Sequence, residues 1–237
     1  MKLCFLIPCF DHGRPARAVL ESLAPVGAPC LVVDDGSAEA TRALLETAAR
    51  ELPFVRVERL PVNQGKGAAL TRGFELAEAE GFTHVLQLDA DGQHDVTQVP
   101  RLIEAMEQQP TALVLARPVF DASAPRSRIW ARQLSRWSVW AATRSFAVSD
   151  PLCGMRGVPV SLALRVIRSA KLGPRMEFDP EFAVRCHWAG APIVNVDVRV
   201  IYPKDGLSHF AVGRDFAALS RTYARLIMMP GRRRSRA

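Results

Sequence analysis

The residues in this chain best suited to chemistry are Asp89 and Asp91, held one residue apart in Leu86-Gln87-Leu88-Asp89-Ala90-Asp91-Gly92-Gln93-His94. An apolar run precedes them, so a buried strand would deliver both acids at its carboxyl end, where open α/β sheets bind ligands. Carboxylate oxygens are hard donors, and a pair of them in a loop suits a divalent cation and, through it, a phosphate. Read alone, the pair is equally an ordinary solvated turn. Two further stretches point to the same chemistry. Val33-Asp34-Asp35-Gly36-Ser37 closes another apolar run with acids, and Asn63-Gln64-Gly65-Lys66-Gly67 sets a lysine among glycines where a helix opens. Singly they read as a turn with a helix cap and as a flexible loop. Together they describe a crevice for a nucleoside diphosphate: Asp34 or Asp35 accepts from base or ribose, a cation bridges the diphosphate to Asp89 and Asp91, and Lys66 offsets the remaining charge.

These residues meet only if the elements before them lie side by side. Apolar runs at 2–8, 30–33, 54–57, 85–88 and 112–116 predict five strands, alternating with four helices whose apolar residues recur at helical spacing, such as Val19, Leu20 and Leu23. Short loops between them argue for an α/β fold with a parallel sheet and helices on both faces. After residue 120 the rhythm changes. A helix is expected over 126–147, with Trp130, Leu134, Trp137 and Ala141 along one face and Arg128, Arg132 and Arg136 along another. Helices are expected over 159–170 and after Glu177-Phe178-Asp179-Pro180-Glu181, then a strand over 193–202 and a last helix to Met229. The reading is one domain over 1–215, with a nucleotide-binding half (1–120) and an acceptor-side half (121–215), followed by a helix and basic tail over 216–237.

Composition narrows the classes. At 237 residues and 49% hydrophobic, the chain can bury a full core. Five scattered cysteines without a CxxC pair exclude a disulfide framework or zinc knuckle and are expected to be reduced thiols of a cytoplasmic protein. Pro8 and Asp11 interrupt the opening apolar run too early for a signal peptide, and no stretch reaches the roughly 18 apolar residues of a membrane span. The net charge of +7 is local: Arg126, Arg128, Arg132, Arg136 and Arg144 sit in one acid-free stretch, and six arginines follow Asp215 in another. Setting these eleven charges against the net +7 leaves −4 for the rest, so two surfaces are basic rather than the whole protein. Arginines with Trp130, Trp137 and Trp140 are expected to meet the headgroups of a membrane; no nucleic-acid fold signature accompanies them, so nucleic acid is not expected as a partner.

The motifs carry a resemblance. Ile7-Pro8-Cys9-Phe10-Asp11, Val33-Asp34-Asp35-Gly36-Ser37, Asn63-Gln64-Gly65-Lys66-Gly67-Ala68-Ala69-Leu70 and Asp89-Ala90-Asp91-Gly92-Gln93-His94 resemble, in order and spacing, the signatures of family 2 glycosyltransferases. That family contains inverting enzymes of the GT-A (Rossmann-like) fold, among them the polyprenyl- and dolichyl-phosphate glycosyltransferases. The resemblance implies a divalent ion, Mn2+ or Mg2+, on Asp89, Asp91 and Gln93, with His94 as a fourth ligand or a hydrogen-bond partner behind them. It implies contacts to a UDP- or GDP-sugar from Pro8, Phe10, Asp34 or Asp35, Lys66 and Asp89, and from Arg156 and His209 in the second half. In the second half it is looser. Asp150 to Arg156, ending in Gly154-Met155-Arg156, is similar to the family's acceptor-side segment, and Arg117 falls where many members place a phosphate-contacting base. His209 lies in what resembles a late loop closing over donor phosphates. The usual Tyr-Asn of the first motif is Phe10-Asp11 here, and the usual Gly-Thr-Arg is Ala116-Arg117-Pro118.

The expected activity is therefore inverting, metal-dependent sugar transfer from a nucleotide donor to a lipid-linked acceptor, by a protein peripheral to the inner face of a membrane. A neutral hydroxyl acceptor would need a base, expected to be Asp179 or Glu181, whereas an ionised lipid phosphate would need none. Two other readings remain open at this level. A sugar-1-phosphate nucleotidyltransferase shares the architecture but wants a Gly-rich, Arg-containing loop where this chain has Ile7-Pro8-Cys9-Phe10-Asp11. A non-catalytic binding subunit would have no need of Asp89, Asp91 and Lys66.

Overall fold

The computed structural model describes residues 1–119, 126–199 and 212–229. The first strands are β1 (Leu3–Cys9), β2 (Cys30–Asp34), β3 (Val55–Arg59) and β4 (His84–Gln87), alternating with helices α1 (Gly13–Leu23), α2 (Glu39–Glu51) and α3 (Lys66–Ala79). Then come α4 (Val99–Gln108), β5 (Leu113–Val119), α5 (Arg126–Thr143), β6 (Arg156–Pro159), α6 (Val160–Ser169), α7 (Phe178–Trp188), β7 (Ile193–Arg199) and α8 (Val212–Met228). The strands form one sheet in the order β3-β2-β1-β4-β6-β5-β7. All neighbours are parallel except β6, which runs antiparallel to β4 and β5.

Alternation along β1 shows why the sheet is buried on both sides. Cys4 and Leu6 face one apolar layer with Leu70 and Phe74 of α3 and Phe182 of α7. Phe5, Ile7 and Cys9 face the other, with Leu20 of α1, Leu45 of α2 and Leu102 of α4. Successive side chains of a strand point to opposite faces, and both faces are covered here, so β1 and β2 read as unbroken apolar runs. α8 belongs to this body: Leu219, Tyr223 and Leu226 are buried in the first layer, and the helix packs along α5.

β6 departs from the sequence expectation. Residues 150–157 were expected as a connecting motif before a helix; instead Arg156–Pro159 is a four-residue strand inserted between β4 and β5. All four residues are buried, so no in-out alternation marks it. Its direction matters for the site. An antiparallel strand starts where its parallel neighbours end, and Arg156 pairs with Gln87, which brings Cys153, Gly154 and Met155 to the carboxyl edge that carries Asp89.

α5 departs from the expected surface at Arg132 and Trp140. Trp130, Leu134 and Trp137 are exposed, at 67%, 52% and 53%, while Ser135, Val139 and Ala142 are buried. Arg132, expected on a lipid-facing surface, donates to the buried Asp150 carboxylate at 2.6 Å. Trp140 also points inward, donating to the Val148 carbonyl at 2.9 Å. Arg132 is thus keyed to the segment leading into β6, and the indoles of Trp130 and Trp137 are left outside. Arg232 to Arg236, His209 and the end of the expected 193–202 strand lie outside the described residues.

Candidate active site

The carboxyl ends of β1, β2 and β4 meet at the point where strand order reverses, the usual ligand crevice of an open sheet. The register fixes this: Cys9 pairs with Asp34 and Leu6 with Gln87, so the segments after β1, β2 and β4 emerge together. Between them lies a pocket of about 190 Å³, walled by Pro8 at the end of β1 and Phe10 after it, Asp35 after β2, Lys66 at the start of α3, and Asp89, Asp91 and Gln93 after β4. Seven sequence-predicted residues are therefore brought to one cavity.

Asp35 organises the β2 side. Its Oδ1 accepts from the Gln64 backbone N–H at 2.8 Å, and its Oδ2 accepts from Gly65 N–H at 2.7 Å and Asn63 Nδ2 at 3.0 Å. Burial pushes its carboxyl above the usual range, opposed by these amides and by Arg175. Gly65 has φ of 105°, and a Cβ there would fall 2.5 Å from both the Pro174 carbonyl and the Arg175 side chain. Only glycine combines that backbone with so close an approach. The loop thus enters α3 with Lys66 directed at the acids.

The Lys66 ammonium stands 2.6 Å from Asp89 Oδ1 and 2.7 Å from Asp179 Oδ2. Burial alone would discharge it, but the Asp179 and Asp89 carboxylates outweigh burial and hold Lys66 above its ordinary range. Burial likewise works against the charge of Asp89, and Lys66, with His94 3.4 Å away, overrides it and keeps this carboxyl well below the usual range. Asp91 differs. Its side chain accepts the Gln93 N–H at 2.9 Å, and burial, then the charge of Asp89, push its carboxyl up. Gly154 closes the far side of Asp89: a Cβ at this position would lie 2.1 Å from Asp89 Oδ2.

Other predicted residues are elsewhere or occupied. Asp34 is 1% exposed and spent on its own turn, accepting from Ser37 N–H and from the Arg59 guanidinium. Arg117, expected at a phosphate, lies on β5, two strands along from β4, and forms a cross-strand ion pair with Asp197 on β7. Arg156, expected at the donor, has no exposed surface and donates to the Cys153, Pro151 and Asp179 carbonyls, so it builds the edge rather than touching a ligand. Glu181, expected as a base, is fully buried between Arg185 and Arg225. Asp179 is 4% exposed and sits beside Lys66. Sequence reasoning missed Arg175 and Met176, which line the pocket from the α6–α7 loop, and Asp215 of α8. A basic residue in a Gly-Pro turn was the available signal for Arg175.

Among the described residues no cluster of three His, Cys, Asp or Glu side chains forms a complete metal cage. The donor set nevertheless fits a divalent cation: two carboxylates and the Gln93 amide share the pocket, and the half-buried Asp91 carboxylate has no ion pair within 4 Å among the described residues. Mg2+ and Mn2+ sites typically use one or two carboxylates and leave the other positions to phosphate oxygens and water.

Comparison with known proteins agrees with this geometry. Residues 4–160 match glycosyl transferase family 2. The undecaprenyl-phosphate mannosyltransferase of Micrococcus luteus is 34% identical over 114 residues, which cover 45% of this chain and 44% of that protein. The dolichol-phosphate mannosyltransferase of Pyrococcus furiosus is 25% identical over 182 residues, 73% of this chain and 49% of its own length. The chain thus spans less than half of either relative. The crystal structure of glucosyl-3-phosphoglycerate synthase from Mycobacterium tuberculosis with Mn2+ and uridine-diphosphate-glucose superposes with a TM-score of 0.69 at 20% identity, over 97% of this chain and 80% of that one. Its likeness establishes the GT-A fold. The match to residues 4–160, over the strands that build the pocket, makes this chain a member of glycosyl transferase family 2.

Proposed function

We propose that this protein transfers a sugar, with inversion, from a UDP- or GDP-sugar to an acceptor carried at a lipid surface, using Mn2+ or Mg2+. The observation that carries this reading is the convergence of Asp35, Lys66, Asp89 and Asp91 on one pocket at the carboxyl edge of the sheet. The named activities of the M. luteus and P. furiosus relatives support a polyprenyl-type phosphate as acceptor, and the Mn2+ and UDP-glucose of the mycobacterial structure support the donor and cation.

In this reading Pro8, Phe10 and the Asp35–Asn63–Arg175 group hold the nucleoside. Asp89, Asp91 and Gln93 would hold the divalent ion, which supplies Lewis-acid stabilisation of the charge developing on the leaving diphosphate. Lys66 contributes a second positive charge at the same phosphates. An ionised lipid phosphate attacks the anomeric carbon without a base. For a hydroxyl acceptor Asp179 takes the proton, oriented by Arg156 and Gln87, each 3.4 Å from its Oδ1.

The outward indoles of α5 support a peripheral membrane contact. No helix among the described residues is long and apolar enough to cross a bilayer. Trp130, Leu134 and Trp137 form one exposed apolar stripe, and Phe216, Ile227 and Met228 are exposed on the neighbouring α8, beside Arg221 and Arg225. Indoles flanked by arginines suit the interface of an anionic bilayer. The test is a thermal-shift screen of nucleotide sugars with and without Mn2+, followed by transfer to polyprenyl phosphate in anionic vesicles. A Mn2+-dependent rise in melting temperature with one nucleotide sugar is expected. No shift with any nucleotide sugar, together with no metal-dependent hydrolysis, refutes the proposal.

A further inference from the structure

The Lys66 ammonium occupies the place where a donor-bound cation would be needed. It is 2.6 Å from Oδ1 of Asp89, a carboxylate read above as a holder of the divalent ion, and its second contact, at 2.7 Å, is Asp179. A divalent cation and an ammonium cannot both sit against that oxygen, because their mutual repulsion in a buried site opposes it. Lysine, unlike arginine, is a point charge on a flexible stem and can change partners without losing a bidentate geometry. The pocket continues past Lys66 to Phe10 and Arg175, so diphosphate oxygens entering it lie within reach of the same stem.

We propose that Lys66 is an exchangeable counter-ion. In the free protein it neutralises Asp89 and Asp179, and on loading of the metal and the nucleoside diphosphate it is handed from Asp89 to the diphosphate. This rests on the reading of the pocket as a metal and diphosphate site. Two consequences follow. Metal alone binds weakly, because it must strip the ammonium of Asp89 and leave it with Asp179 as its remaining carboxylate; metal with diphosphate binds strongly, because the diphosphate receives Lys66. The carboxylate of Asp179 loses its ammonium partner only when the donor is in place, keeping Arg156 and Gln87, so the group that orients or deprotonates the acceptor is released in step with donor binding. Coupling of this kind is reciprocal: diphosphate raises the affinity for metal by the factor that metal raises it for diphosphate.

The test is Mn2+ binding by the full chain, measured by titration calorimetry or by electron paramagnetic resonance of free Mn2+, without nucleotide and with UDP or GDP. Lys66→Met is expected to bind Mn2+ alone about tenfold more tightly than the unaltered protein, while the enhancement by nucleoside diphosphate shrinks by about the same factor. A lysine with a merely structural role would give the opposite, a loss of Mn2+ affinity when removed. If Lys66→Met does not fold by circular dichroism, the Lys66→Met/Asp179→Asn pair removes one charge of each sign and leaves Asp89 freed of its ammonium; the same gain is expected. Equal or weaker Mn2+ binding by a folded variant overturns the exchange. Failure of the unaltered protein to bind Mn2+ even with both diphosphates overturns the parent reading and the exchange together, so the two failures are distinct.

Discussion

Gly154→Ala tests whether the inserted antiparallel strand sets the catalytic edge. The added Cβ would lie 2.1 Å from Asp89 Oδ2, 2.4 Å from its Cγ and 2.5 Å from its Oδ1, so it meets the whole carboxylate. To restore an ordinary contact of 3.4 Å, the carboxylate or the 150–155 segment must retreat by about 1.3 Å. The segment is tied down: Asp150 Oδ1 accepts from the Leu152 and Cys153 N–H groups, and Arg156 holds the Pro151 and Cys153 carbonyls. Asp89 is the part that gives way, along with its contact to Lys66. A misplacement of about 1 Å costs on the order of 10²-fold in rate, or about 2.7 kcal/mol of barrier. Overpacking of a buried site costs about 1–3 kcal/mol of stability. The assay is kcat for Mn2+-dependent nucleotide-sugar turnover beside a denaturant melt. Turnover within about twofold of the unaltered protein, with an unchanged melt, would show that this methyl is accommodated and that Gly154 does not position Asp89.

Five further outcomes are expected. Asp91→Ala should lose several kcal/mol of transition-state stabilisation, read as turnover, while its melting temperature stays near that of the unaltered protein, because its side chain contributes one bond to a Gln93 N–H. Glu181→Ala should instead cost about 3 kcal/mol of stability in a denaturant melt, since it strands the guanidinium groups of Arg185 and Arg225 around a buried site. Arg117→Ala should leave turnover unchanged and shift stability by under about 1 kcal/mol, because its pair with Asp197 is roughly half exposed on both sides. Trp130→Ser with Trp137→Ser should release the protein from phosphatidylserine vesicles in co-sedimentation without lowering its melting temperature. Arg132→Glu should act chiefly on stability, through Asp150; undiminished vesicle binding by the double tryptophan variant would sink the membrane face.

The sequence by itself determined the first half of the molecule and the chemistry of its rim. Apolar runs ending in Asp34-Asp35 and Asp89-Ala90-Asp91, and a glycine-flanked Lys66, are local features: strand burial, turn residues and right-handed crossovers suffice to bring them to one edge. Only the tertiary structure decided the second half. The strand at Arg156–Pro159 is too short and too uniformly buried to carry a period, and its antiparallel direction is set by the space between β4 and β5. Charge patterns were the poorest guide. Arg117, Arg156 and Glu181 look alike in sequence as candidates for a ligand, yet each is neutralised or hydrogen-bonded by a partner 23 to 80 positions away or by a neighbouring helix. Arg132 turned inward for the same reason: a buried Asp150 holds a guanidinium more strongly than water or solvent-exposed helix packing does, and the choice of which face of α5 points out follows from that contact.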